Sequence, residues 1–510
     1  MELLKLHNSK QKVEFGDFQT PDNLALQICD FISNNSYKPK TIIEPTCGVG
    51  SFIINSNKTF NSAEKIIGIE INNNYLNILR KAISSKKVIL ENQDFFKMDW
   101  GKYLNQLKEP LLMIGNPPWV TNSKLSSLTS SNLPKKNNGQ QLKGIEAITG
   151  KSNFDISEWM IIKLLDVLQY KTSLLAFLCK TSVARKVLMY IWNNKLNISQ
   201  SSIHLINSKE HFNVSVDACL FICQSGENVQ TKHCPVYSKL DYKSLISDIG
   251  IKKNKLLANI SFYNKHSHLE GNEYYRWRSG IKHDSSKIME FFFKDGLFIN
   301  GFGETVDLEM DFLYPLYKSS DISKDVLSFP RKWVLITQKE VGNETIYIKN
   351  IAPKTYQYLE KHSNILSQRK SSIYKNKPKF SIFGIGKYSF SNYKIAISGL
   401  YKKIHFQLLE TYKEKPIMVD DTCYLISCNT KKEAELLLKT LNSQIAKEFF
   451  QSFIFWDSKR PITSSILNRL DILKLSKELE LNSLTEIILE KNQYSQMTIF
   501  EDFERHNIQY

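Results

Sequence analysis

Thr41-Ile42-Ile43-Glu44-Pro45-Thr46-Cys47-Gly48-Val49-Gly50 reads as a short buried strand running into a glycine loop, and the apolar stretch with Phe52 that follows reads as a helix. Strand, glycine loop and helix together are the opening unit of a doubly wound α/β fold. The loop is not the G-x-G-x-x-G fingerprint of a dinucleotide site, because the third glycine is missing; a lone G-x-G is a weak signal. Glu44 is more informative. An acid at this strand end repels a pyrophosphate and suits a cationic ligand, such as a sulfonium or an amino-acid ammonium.

Working toward the C-terminus, a second strand, Lys65 to Ile69, ends in Glu70. It lies about twenty residues past the glycines, where an acid accepts ribose hydroxyls. A third, Lys87 to Leu90, is followed by Asp94-Phe95. That acid can take the N–H of an adenine amino group, and the ring beside it can cover the adenine face. Any one of these acids alone reads as a solvated strand-end residue, but all three at successive strand ends form a sharper pattern. A fourth strand, Leu111 to Ile114, passes through Gly115 into Asn116-Pro117-Pro118-Trp119. Consecutive prolines fix φ twice and remove two backbone donors. The amide oxygen of Asn116 and the carbonyl of Pro117 can each accept one N–H of an exocyclic amine, and Trp119 can stack on the base. Alone, these four residues also describe an ordinary Pro-Pro turn with a core tryptophan. The acids upstream give them their functional reading. Toward the N-terminus, Thr20-Pro21 reads as an N-cap and first helical residue, opening a helix through Leu24, Ile28 and Phe31.

These motifs resemble, in order, those of the γ-class N6-adenine DNA methyltransferases of bacterial type II restriction–modification systems. The matching stretches are Phe18-Gln19-Thr20-Pro21, Glu44 to Gly50, and Asn116-Pro117-Pro118-Trp119, with Trp119 where tyrosine is commonest. The resemblance implies a class I methyltransferase fold: a doubly wound seven-stranded α/β sheet with an antiparallel last strand, over residues 1–235. It implies S-adenosylmethionine as cofactor, held by Thr20, Glu44, Thr46, Gly48, Gly50, Glu70, Ile71, Asp94, Phe95 and Asn116. Asn116, Pro117 and Trp119 become the catalytic set. Phe212, between strands read at Ser201–Asn207 and Ala218–Cys223, matches the aromatic that covers the second face of a flipped base. The base is then expected to be sandwiched between Trp119 and Phe212.

The charge balance fits a polyanionic partner. Lys and Arg total 68 against 51 Asp and Glu, a net charge of +17 over 510 residues, which favours nucleic acid; a Lys- and Asn-rich composition bias would produce the same excess. The eight cysteines include no C-x-x-C pair and the ten histidines no H-E-x-x-H, so neither a zinc site nor a disulfide framework is expected, and the compartment reads as cytoplasmic. No apolar run reaches membrane-spanning length.

The polar stretch Gln224 to Thr231 is read as a boundary, with residues 236–510 forming a mixed α/β target-recognition domain ending in helices. There basic and aromatic residues interleave, at Tyr274-Tyr275-Arg276-Trp277-Arg278, Arg331-Lys332-Trp333 and Tyr374 to Phe380, the composition of a nucleic-acid surface. Blocks at Ser279–Asp284, Phe383–Tyr388 and Tyr393–Gly399 also resemble the target-recognition region of some of these enzymes. The expected DNA contacts are Arg276, Arg278, Lys282, Arg331, Lys375, Lys377, Lys459 and Arg460, together with Lys135 and Lys136 in a polar loop between Ser123 and Asn153.

The expected partner is double-stranded DNA, with a separate companion restriction endonuclease, since no P-D…E-x-K nuclease site is legible, and a monomer is expected. Rival readings are an N4-cytosine methyltransferase, which more often has Ser at the Asn116 position, a methyltransferase of RNA or protein glutamine, and a non-catalytic DNA-binding specificity module.

Overall fold

The computed structural model describes residues 19–119 and 155–491, apart from 215, 228, 272 and 273. Phe18, Lys135, Lys136 and the polar loop around them lie outside these residues. The chain divides into two compact units, residues 1–260 and 261–510.

The first unit is built on one sheet. Its strands are β1 (Thr41–Glu44), β2 (Lys65–Glu70), β3 (Val88–Asn92), β4 (Leu111–Gly115), β5 (Ser173–Lys180), β6 (Ile198–Ile206), β7 (Ala218–Ser225), β8 (His233–Tyr237), β9 (Leu245–Lys252) and β10 (Lys255–Leu257). The order across the sheet is β10-β9-β8-β6-β7-β5-β4-β1-β2-β3. β1 to β5 run parallel, and β7 lies antiparallel to both β5 and β6. The helices are α1 (Asp22–Asn34), α2 (Ser51–Thr59), α3 (Asn73–Ala82), α4 (Trp100–Leu104), α5 (Ile156–Leu168), α6 (Thr181–Asn193) and α7 (Ser208–Phe212). Alternate strand residues Ile42, Ile66, Leu112, Ile114 and Ala176 share one core with α1, α2 and α3. Their neighbours Ile43, Ile67, Met113, Leu175 and Phe177 are also fully buried. Both faces are therefore covered, as parallel strands require.

Three sequence readings change here. The boundary read at 235 falls later, because β8 pairs in parallel with β6 and β9 and β10 extend the sheet beyond it. Residues 236–260 thus belong to the first unit, and the sheet has ten strands. Thr20 does not cap α1: Pro21 occupies the N-cap position, with no side-chain cap. Thr20 instead uses its carbonyl, which accepts a hydrogen bond from Ser51 Oγ at 2.8 Å. β6 begins earlier than read, at Ile198.

The second unit holds two sheets. One has the order β14 (Thr305–Val306), β13 (Leu297–Asn300), β12 (Glu290–Lys294), β16 (Lys332–Leu335), β15 (Leu313–Tyr317), β19 (Met418–Val419). The other has the order β11 (Arg278–Ser279), β20 (Cys423–Cys428), β17 (Tyr393–Ser398), β18 (Phe406–Leu409). Pairing is antiparallel except between β15 and β19. Helices Lys431–Leu441 and Gln444–Gln451 follow. Among the described residues no helix is long and apolar enough to cross a membrane.

Candidate active site

The site begins where β1 stops. Thr41, Ile42 and Ile43 suit a buried strand, and all four residues of β1 are buried, Glu44 at 3% exposure. β4 pairs directly with β1, with Ile43 opposite Met113. A strand order of 4-1-2-3 makes the β1–β4 gap the point where the chain reverses its direction of winding, the usual ligand crevice of such sheets. Glu44 stands at that gap. Its Oε2 has no hydrogen-bond partner among the described residues. Burial pushes its carboxyl pKa well above the ordinary range, and the nearby Glu70 pushes it further. The neighbouring Thr46 Oγ is likewise buried without a partner.

The glycine loop is tied down by its backbone. Cys47 N donates to Ile69 O at 2.9 Å and Gly50 N to Cys47 O at 2.8 Å. Gly48 N donates to Glu70 Oε2 at 2.9 Å, while Glu70 Oε1 accepts from Asn72 N at 2.9 Å. The N-terminal segment lies on this loop: Val49 N donates to Gln19 Oε1 at 3.2 Å, and Asn55 Nδ2 to Asp22 Oδ1 at 2.7 Å. Gly50 has φ +89°, and a Cβ there would come within 2.4 Å of Leu79 Cδ1. Leu79 is fully buried, so it cannot yield. Gly50→Ala is therefore expected to lower stability by about 2–4 kcal/mol, combining left-handed strain with overpacking, which a urea titration checks.

At the end of β2 Ile71 is 46% exposed. Asn92 Nδ2 donates to the carbonyls of both Glu70 and Ile71 at 2.9 Å. Sequence reasoning passed over Asn92; its place opposite Glu70 in the β2–β3 register was the only signal. Asp94 Oδ1 accepts from Phe96 N at 2.9 Å. Phe95 is 4% exposed, its ring 4.9 Å from Trp100 and 6.2 Å from Trp159 of α5. It is a core aromatic.

Across the gap, a Cβ on Gly115 would lie 3.4 Å from Glu44 Cγ. The turn that starts at Asn116 therefore springs from beside the Glu44 side chain. Pro117 and Trp119 are buried, while Asn116 and Pro118 are half-buried. Trp119 Nε1 donates to Leu178 O at 3.3 Å on β5. Its ring meets Phe212 edge-on, with centroids 5.3 Å apart and planes at 62°. Trp119 and Phe212 are thus neighbours, as the expected sandwich requires, but no gap is open between them. A base between two parallel rings needs a gap of about 7 Å, two van der Waals contacts deep, whereas here the two rings pack against each other.

The second unit changes the reading of its aromatic clusters. Tyr275, Trp277, Trp333 and Phe380 are 7%, 3%, 2% and 3% exposed. They are core residues rather than stacking platforms. Alternation explains the first cluster: Tyr275 and Trp277 point inward, and Arg276 and Arg278 are exposed. Lys375, Lys377 and Lys459 are also exposed. Lys282 pairs with Asp284 at 2.7 Å and Arg331 with Asp321 at 3.2 Å. Arg460 donates to Asp421 O at 3.3 Å. These last three cations are partly neutralised by their own neighbours.

A doubly wound sheet with an antiparallel seventh strand, a buried acid at its switch point and an Asn-Pro-Pro-aromatic turn beside it define a class I methyltransferase. A family model described as N-6 DNA Methylase matches residues 2–171. Type II methyltransferase M.NspV from Nostoc sp. (strain ATCC 29411 / PCC 7524) is 46% identical over 477 residues, 92% of this chain and 99% of its own length. Type II methyltransferase M.CvrRI of Paramecium bursaria Chlorella virus XZ-6E is 28% identical over 121 residues, 24% of this chain and 29% of its own. Among solved structures, the type IIL restriction-modification enzyme MmeI in complex with DNA matches with a TM-score of 0.49 and 13% identity, covering 90% of this chain and 65% of that one. The chain belongs to the type II DNA methyltransferases of restriction–modification systems.

Proposed function

We propose that the chain methylates N6 of an adenine extruded from duplex DNA, with S-adenosylmethionine as donor, and thereby shields that DNA from a separate cognate restriction endonuclease. One observation carries this reading: the buried Glu44 carboxylate, its Oε2 without a partner among the described residues, stands directly beside the turn that begins at Asn116. A cation-binding acid and a pair of amine acceptors share one crevice.

The residues present fit the cofactor. Glu44 Oε2 and Thr46 Oγ are buried polar atoms suited to its amino-acid end. A side chain at Gly48 would meet Gln19 and one at Gly115 would crowd Glu44, so glycine at both positions keeps these neighbours in place. Glu70 remains able to accept ribose hydroxyls, since each carboxylate oxygen has a second lone pair. Asp94 would accept from the adenine amino group, and the exposed Ile71 would cover the ring. When bound, the cofactor supplies an electrophilic methyl on a sulfonium.

Asn116 Oδ1 and the Pro117 carbonyl accept the two hydrogens of the target amine. Two acceptors in tetrahedral directions draw the nitrogen away from planarity and localise its lone pair, which an aromatic amine otherwise spreads into the ring. The sulfonium leaves as a neutral thioether, and the methylated, now acidic, amine releases one proton to solvent, so positioning and fixed dipoles do most of the work and no strong base is required. The base reaches Trp119 by displacing the Phe212 ring. Extrusion costs a few kcal/mol, and stacking returns about 1–3 kcal/mol per base.

Residues 261–510 supply target recognition, and a chain that carries its own recognition unit acts as a monomer in the cytoplasm. Arg276, Arg278, Lys375, Lys377 and Lys459 are the cations best placed to meet phosphates. Arg276→Ala is expected to weaken DNA binding across all sequences and to lower the slope of log K against log salt by about 1, measured by filter binding at several salt concentrations.

Methyl transfer from labelled S-adenosylmethionine to unmethylated genomic DNA, followed by nucleoside analysis, tests the whole reading. Label in N6-methyladenine is expected. Label in N4-methylcytosine would replace the target base, and unlabelled DNA would overturn the proposal.

A further inference from the structure

Lys180, the last residue of β5, sits behind the Asn116–Trp119 turn. Its Nζ lies 3.3 Å from the Trp119 carbonyl and 2.5 Å from Asp155 Oδ2. Asp155 is 5% exposed. Its other oxygen caps α5, accepting from Ser157 N at 3.2 Å and Ser157 Oγ at 2.6 Å. Trp119 is therefore gripped at two points by β5, its indole by Leu178 O and its carbonyl by Lys180. The same ammonium joins the turn to the N-terminus of the helix carrying Trp159, whose ring lies 5.2 Å from Phe96 and 6.2 Å from Phe95.

A lysine placed here merely to fill space would need neither partner. The turn contains two prolines and so can donate no backbone hydrogen bond at Pro117 or Pro118. Its orientation must be set from outside, and the Trp119 carbonyl is where β5 takes hold of it. The charge of the pair also matters. Positive charge develops at the target amine as it accepts a methyl, and a bare ammonium nearby would oppose this. Asp155 cancels that charge while leaving the hydrogen bond in place.

We propose that Lys180 is a positioning residue for methyl transfer: with Asp155 as counter-ion, it holds the Asn116–Trp119 turn at the angle where Asn116 and Pro117 meet the target amine. The assignment rests on the reading of that turn as the amine-binding site. Neither residue is drawn into contact with cofactor or base; they act through the turn.

The test uses the full chain, with labelled S-adenosylmethionine and plasmid DNA. In Lys180→Met, kcat is expected to fall about 10²-fold, the scale of a 1 Å misplacement. Cofactor affinity by calorimetry and DNA affinity by filter binding should stay near wild type, while the thermal midpoint should fall by a few degrees because Asp155 loses its counter-ion. Lys180→Arg should recover most of kcat, because it restores both the donor and the charge. Asp155→Asn, which keeps a capping oxygen, should lower kcat with the same binding profile, and it carries the test if Lys180→Met does not fold. Wild-type kcat in Lys180→Met overturns the assignment. So does a loss of kcat matched by equal losses of cofactor and DNA affinity, the mark of a purely structural lysine. If wild-type protein labels no DNA, the functional reading itself has failed and this assignment falls with it; if wild type labels DNA and only the Lys180 results disagree, the assignment alone falls.

Discussion

Asn116→Ala abolishes nearly all turnover while leaving the cofactor bound: kcat is expected to drop about 10³-fold, the upper range for deleting one preorganised electrostatic group at a reacting atom. The geometry makes the effect large. Asn116 follows Gly115, whose position beside Glu44 anchors the start of the turn, and Pro117 and Pro118 prevent the backbone from rotating to offer a substitute acceptor. On the proposed reading, loss of the amide would leave one hydrogen of the target amine without an acceptor and its lone pair in the ring. Cofactor affinity should fall far less than turnover, because Asn116 is one of several residues expected to hold the cofactor and Glu44, Thr46, Glu70 and Asp94 are untouched. Single-turnover transfer from labelled cofactor, with calorimetric titration beside it, separates the two quantities. A variant that turns over within tenfold of wild type would show that Asn116 is a turn residue only.

Glu44→Gln is expected to weaken S-adenosylmethionine binding by about 10²-fold, roughly 3 kcal/mol for losing one side of a buried charge pair. It should also stabilise the cofactor-free protein. Burial, reinforced by Glu70, raises the folded-state pKa of Glu44 above the ordinary carboxylate value. The sign follows directly. Between the unfolded and folded values the native chain holds a proton that the unfolded chain has released, so stability declines as pH rises through that window. The substituted carboxamide cannot ionise and escapes this decline. At neutral pH the variant should melt about 2–4 °C higher, the shift expected of roughly 1 kcal/mol in a unit of this size. Cofactor binding in wild type should run the other way, strengthening as pH rises through the elevated pKa, because the anion is the binding form. Melting curves and titrations across the acid range check both slopes. A variant that binds normally, or melts lower than wild type, removes Glu44 from the site.

Much of the site was legible because its signals are local. Each strand-end acid follows its strand within the sequence, and the parallel order places those ends side by side once the winding is granted. Glu44, Glu70 and Asp94 were singled out in this way, as was the Asn116 turn, and the structure sets them at or just past the ends of neighbouring strands. Asn92, Lys180 and Asp155 were missed. Lys180 closes an apolar strand and reads as an ordinary solvated terminus; its role depends on Asp155, 25 residues away, and on Trp119, 61 residues away. The boundary at 235 failed for a similar reason. His233–Tyr237 carries no mark of its parallel pairing with β6, and only the register of Ile203 with Val236 shows it. In the second unit the basic and aromatic residues were read together as one surface, although the period-2 alternation at Tyr275-Arg276-Trp277-Arg278 sorts them into core and exterior.

By itself, the sequence determined the doubly wound start of the fold, the order of its strand-end acids and the rigid Asn116–Trp119 turn that follows the fourth strand. These depend on hydrophobic periodicity, glycine conformations and proline φ, properties a chain carries in a few neighbouring residues. The tertiary structure alone decided that Trp119 and Phe212 pack edge-on rather than flank a gap, that Glu44 keeps a buried oxygen with no partner among the described residues, and that Lys180 bonds both Asp155 and the Trp119 carbonyl. Each of these depends on where distant side chains converge once both faces of the sheet are covered, and burial then fixes which polar atoms find partners.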